Sequence, residues 1–128
     1  MRDRLYKLNQ YFHVSDVTQN LAHGHPSHNK LAHILSFTEQ ISLNLKSQYH
    51  PHCETSIDEA RIAFTGRLAF KQYVPMKQKK IGIKVWMLAD PHNCYVNDFQ
   101  VYTGKVPNQP EQGIGERVVK DLTRDIWG

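Results

Sequence analysis

Hydrophobic and polar positions along the chain change their period at Pro51. Before it, apolar residues recur every three or four positions, the spacing of one face of an α-helix. In RDRLYKLNQYFHV this puts Leu5, Leu8, Tyr11 and Phe12 on one side and predicts a short amphipathic helix. The stretch SDVTQNLAHGHPSHN, residues 15–29, is polar, carries Gly24 and Pro26, and reads as a loop. In KLAHILSFTEQISLNLKSQYH the stripe Leu31, Leu35, Thr38, Ile41, Leu45 and Tyr49 predicts a longer helix, with Asn29 as its N-cap and Pro51 as its stop.

After Pro51 the period becomes two, and β-branched and aromatic residues dominate TSIDEARIAF, IGIKVWMLAD and YVNDFQVYTG, which predicts three strands. The connection GRLAFKQYVPMKQKK is long, and its Pro75 excludes a central strand there. The connection ADPHNCY is short, so the second and third strands should form a hairpin. Finally GERVVKDLTRDIW and the preceding Ile114 place Ile114, Val118, Val119, Leu122 and Ile126 on one face of a last helix. The predicted order is helix, helix, strand, strand, strand, helix. A helix leaving a meander normally crosses over to bring in another strand. The expectation is therefore the first half of a larger sheet, a truncated domain.

A chain of 128 residues with 40% hydrophobic and 22% charged positions has room for one core. The sequence has no run of 18 apolar residues and its amphipathic start lacks the features of a secretory signal, so a membrane partner is excluded and an intracellular protein is expected. Two cysteines, Cys53 and Cys94, are then expected as free thiols. The formal net charge is +4, and the excess is local: between residues 55 and 90 seven cations face three acids.

Within that basic stretch, Asp58 alternates onto the same face as Ala60, Ile62 and Phe64. A carboxylate among apolar neighbours calls for compensation, either by Arg61, Arg67 or Lys84, or by a hard divalent metal such as Mg²⁺ or Mn²⁺. The adjacent Glu59 points to the opposite face. The basic residues Lys71, Lys77, Lys79 and Lys80, interleaved with Phe70 and Tyr73, fit a phosphate backbone. A zinc site could draw on His23, His25, His28, His50, His52, His92, Cys53 and Cys94, but no spacing matches a finger, and solvated loop histidines account for them more simply. Asp90 and Asp98, near strand ends, read as turn and surface residues.

The blocks SIDEARIAFTGRLAFKQYVPMKQKKIGIKVWMLAD, YVNDFQVYTGK and GIGERVVKDL, with RDRLYKLNQYFHVSD and SQYHPHCETSIDE upstream, resemble the piggyBac transposase family. Arg61 and Ala63 stand where that family's pattern has Met or Leu and Pro, a departure that hints at relaxed constraint. The resemblance implies an α+β fold: a helical lead-in, residues 1–54, then in residues 55–128 the first half of an RNase H-like transposase core, three strands plus a helix. It implies cut-and-paste DNA transposition through a triad of aspartates holding two divalent metals, with Asp58 as the first of the three. The motifs expected to carry the other two do not occur in these 128 residues, so catalytic silence and no tightly bound metal are expected of this chain. The implied DNA contacts fall on Arg67, Lys71, Lys77, Lys79, Lys80 and Lys84, giving weak electrostatic binding. A nuclear location follows, with a homodimer or the full-length transposase as protein partner. The alternative is a domesticated, non-enzymatic DNA-binding or protein-interaction module.

Overall fold

The computed structural model describes residues 2–16, 25, 28–76, 80–104 and 113–126. The chain forms two compact units, Met1–Ile41 and Ser42–Gly128. In the first unit, helix α1, Arg2–Gln10, is the expected amphipathic helix, but it stops before Tyr11 and Phe12, and these two are exposed along with its own Leu5 and Leu8. Further along, the Ser15 hydroxyl donates to the His33 carbonyl at 2.8 Å. The Asn29 side chain caps a tight turn rather than a helix, accepting from the Leu31 N–H at 2.9 Å. Helix α2, Leu35–Gln48, begins only after that turn. The predicted stripe from Leu31 through Leu35, Thr38, Ile41 and Leu45 to Tyr49 is half-buried, while Phe37 and Leu43 between its members are exposed.

The second unit is built on an antiparallel sheet of β1, Ser56–Ala63, β2, Gln72–Tyr73, β3, Ile81–Ala89, and β4, Val96–Val101. The three expected strands are present, and β3 and β4 pair as the expected hairpin. β2 is additional. It pairs only with Ile81 and Gly82, and its two residues end just before Val74 and Pro75, which fits the exclusion of proline from a ladder. β3 is the central strand: β1 runs along one side of it, and β2 and β4 share the other. Gly82 is required where β1 crosses closest, because a Cβ there would lie 2.6 Å from the Ile62 carbonyl oxygen. At the hairpin turn Cys94 adopts a left-handed conformation, φ 60°, uncommon for any residue but glycine.

Helix α3, Ile114–Thr123, packs against β3 and β4 and carries the core. Val118 and Leu122 are buried against Leu88, with Ile57, Trp86, Ile114 and Ile126 packed around them. Val119, placed on the same stripe by periodicity, is 46% exposed. The directly paired Ile57 and Leu88 mark the face that α3 covers. Strand alternation therefore puts Glu59, Arg61, Lys84 and Trp86 on the α3 side and Asp58, Ala60, Val85 and Met87 on the other. No helix among the described residues is long and apolar enough to cross a membrane.

This packing predicts unequal costs along one helix. Leu122→Ala should lower unfolding stability by about 2–5 kcal/mol through the lost transfer energy and the cavity left behind, whereas Val119→Ala should stay within roughly 0.5 kcal/mol. Urea denaturation of the two variants measures the difference.

Candidate functional site

Asp58 is exposed on β1, and its Oδ1 accepts the neighbouring Glu59 N–H at 2.7 Å. The expectation that it needs a buried counter-charge is corrected here. α3 docks on the other face of the sheet, and the Asp58 carboxylate is in solvent. Its candidate partners Arg61 and Lys84 alternate onto the α3 side and meet Glu59 instead: Lys84 Nζ lies 2.8 Å from Glu59 Oε2, and Arg61 Nε lies 3.8 Å from Oε1. Lys84 also sits 4.2 Å from the centre of the Trp86 ring, a cation–π distance.

Of the other residues marked for nucleic-acid contact, Arg67, Lys71 and Lys80 are exposed. Lys71 Nζ donates to the Gly66 carbonyl at 3.0 Å, which curls the loop after β1. Lys77 and Lys79 lie outside the described residues, as does His23 of the first histidine cluster. The structure thus brings together Glu59, Arg61 and Lys84 on one face, and keeps Asp58 apart from all three.

The residues that sequence reading missed are Asp90 and Asp98. Both are buried, not surface groups, because hydrogen-bond donors from distant segments enclose them. Asp90, at the end of β3, is fully buried. Its Oδ2 accepts from the Tyr49 hydroxyl at 2.7 Å, the His52 N–H at 3.1 Å and His52 Nδ1 at 2.6 Å, and its Oδ1 accepts from the His92 N–H at 2.8 Å. Burial alone would push this carboxyl up. The donors from Tyr49, His52 and His92 outweigh burial and hold it well below the usual carboxylate range. The same hydrogen bond raises the Tyr49 phenol, since its proton is held by the carboxylate.

Asp98 of β4 is closed in the same manner. Its Oδ1 accepts from the Ser42 hydroxyl at 2.6 Å and the Phe99 N–H at 2.8 Å, and Lys46 Nζ approaches Oδ2 at 2.9 Å. Lys46 also reaches Asp125 at 2.7 Å. Burial lowers its ammonium, and the bonds to Asp125 and Asp98 more than offset that, leaving it raised. Around Asp90, the rings of His52 and His92 lie 4.9 Å apart, and Cys53 and Cys94 are exposed free thiols. Among the described residues no group of three or more His, Cys, Asp or Glu side chains is placed to hold a metal ion.

Comparison with known proteins covers the whole chain. Residues 1–128 match the family described as Transposase IS4. A cryo-EM structure of the piggyBac transposase synaptic complex with hairpin DNA superposes with a TM-score of 0.85 at 25% identity, over 98% of this chain and 26% of that one. The α+β arrangement of three helices and a four-stranded antiparallel sheet is therefore that of the corresponding part of the piggyBac transposase.

The Asp90 network predicts an acid-labile fold. Because the folded-state carboxyl lies below its unfolded value of about 3.9, its contribution is fully present above that pH and is lost as pH falls toward the folded value. Denaturation midpoints followed downward from pH 6 should fall steeply below about pH 4, and Asp90→Asn should lower the midpoint at neutral pH and flatten that acid limb.

Proposed function

The chain belongs to the transposase IS4 family, and from that membership we propose that it is transposase-derived, binds DNA electrostatically, and as these 128 residues performs no strand cleavage. The observation that carries this reading is the exposed Asp58 carboxylate on β1 of a sheet that matches the piggyBac transposase. Asp58 occupies the position that the family resemblance gives to the first catalytic aspartate. The resemblance implies that this carboxylate holds divalent metal, and its solvent exposure is compatible with that role.

DNA is the partner because the solved neighbour is a complex with hairpin DNA, and because Arg67, Lys71 and Lys80 present cations on the loops bordering β2. Lys77 and Lys79 extend that charge along the sequence. Lys84, the remaining cation of that set, is paired with Glu59 at 2.8 Å. Such contacts track a backbone without reading bases. The reading also carries a nuclear site of action and a homodimer or full-length transposase as protein partner.

Two divalent cations supply the family's chemistry by activating the attacking oxygen and stabilising the leaving one. The residues described here do not fit such a pair. Asp58 offers one carboxylate, Glu59 lies on the opposite face against Lys84, and Asp90 and Asp98 are closed by hydrogen bonds. One carboxylate cannot enforce the spacing of two metal ions. The alternative reading is a domesticated, non-enzymatic DNA-binding or protein-interaction module.

Two measurements test it. Cleavage of a hairpin DNA substrate with Mg²⁺ or Mn²⁺ should be at background for the chain and equal in Asp58→Ala; activity that vanishes in the variant would overturn silence. Duplex DNA affinity should fall with salt at a log–log slope of about −3 to −4, as for roughly three to five phosphate contacts. Replacing Lys77, Lys79 and Lys80 with Ala should make the slope shallower and replacing His23, His25 and His28 should leave it unchanged, whereas a flat salt response of the parent chain rules out the DNA reading.

A further inference from the structure

On the α3 face of the sheet, opposite Asp58, two successive rungs of that face pair Glu59 with Trp86 and Arg61 with Lys84, separated in the β1–β3 ladder by Ala60–Val85, which faces the other way. They hold two cations and one carboxylate. Glu59 is engaged by Lys84 at 2.8 Å, and Arg61 Nε stays outside hydrogen-bond reach of it at 3.8 Å. Arg61 Nη2 makes a long bond, 3.4 Å, to the Gln72 carbonyl across the short β2 pairing. The remaining donors, Arg61 Nε and Nη1 and the Trp86 indole Nε1, are buried and meet no acceptor among the described residues. The Arg61 side chain is only 13% exposed.

A buried donor without an acceptor is rare and destabilising, and a guanidinium cannot escape by losing its proton. Orphan donors on neighbouring rungs define their complement: a small group of negative charge with several acceptor oxygens. The charge count agrees, since Arg61 and Lys84 exceed Glu59 by one. We propose that Glu59, Arg61, Lys84 and Trp86 form an oxyanion site that takes a phosphate group. Arg61 supplies two N–H groups of its planar fork, the geometry that suits phosphate oxygens. Trp86 supplies a third donor from the next rung. Lys84 and Glu59, with side chains 21% and 33% exposed, form the rim. The recessed donors exclude an internal phosphodiester flanked by sugars on both sides, so the ligand is orthophosphate or the terminal phosphate of a nucleic-acid end. The site is distinct from the exposed Arg67, Lys71 and Lys80 and does not depend on the DNA reading, because orthophosphate alone fills it.

Titration of the whole chain with sodium phosphate at constant ionic strength, followed by ¹H–¹⁵N spectra, tests this. The Trp86 indole N–H, identified by its loss in Trp86→Phe, and the Arg61 Nε–H should shift saturably with phosphate and not with chloride. Arg61→Leu should weaken the apparent affinity about tenfold or more, and Arg61→Lys should restore it only in part. A 5′-phosphorylated oligonucleotide that shifts the same signals, where the unphosphorylated strand does not, assigns the site to nucleic-acid ends, while response to orthophosphate alone assigns it to the free ion. Absence of a saturable shift, an equal response to chloride, or full affinity in Arg61→Leu would overturn the proposal.

Discussion

The carboxylate of Asp90 has no solvent contact, and an ionised group so placed is tolerated only when donors replace the water it has lost. Four donors do so, from Tyr49, His52 and His92. Their positions tie the segment after α2 to the end of the central strand and to the turn of the β3–β4 hairpin. The backbone of the turn closes on the same residue, with the Cys94 N–H donating to the Asp90 carbonyl and the Asp90 N–H to the Tyr95 carbonyl. Asp98 repeats the device one strand away through Ser42 and Lys46. Tyr95 and Asn97 add bonds to the carbonyls of Leu45 and Tyr49. Polar bonds thus tie the end of α2 to the sheet, while the apolar cluster under α3 is small, Leu88, Val118 and Leu122, with Phe70 and Val85 buried besides.

With β3 held in this way, the two faces of the sheet acquire different chemistry. The α3 face combines that core with the charged rungs of Glu59, Arg61, Lys84 and Trp86. The opposite face carries Asp58 in solvent. Adjacent residues in the chain, Asp58 and Glu59, therefore have different fates, one a carboxylate in solvent and the other half of an ion pair. A slip of one residue in the β1–β3 register would exchange them. Gly82 protects that register, since any side chain there would meet the β1 backbone.

Much of this was legible along the chain. Strand alternation and β-branched runs located β1, β3 and β4, and helical spacing identified the half-buried stripe of α2 and the pair Val118 and Leu122 beneath α3. These readings hold because each depends on neighbours within one turn or one pleat. The pairing of Glu59 rather than Asp58 with the cations was also present in the sequence as parity, because residues 59 and 61 fall on the same side of a strand and 58 does not. The two-residue β2 had no local signature and exists only because β3 offers it a free edge.

Tertiary structure alone decided the burial of Asp90 and Asp98, whose donors Tyr49 and Ser42 stand 41 and 56 residues away in the chain. An aspartate at a strand end looks the same whether it faces water or a distant hydroxyl. The exposure of Asp58 was decided in the same way, by what packs against each position of the sheet. Alternation along β1 determines which residues share a side, and only the tertiary packing determines which of them lose their water: Val85, on the side of Asp58, is buried, while Asp58 itself is not.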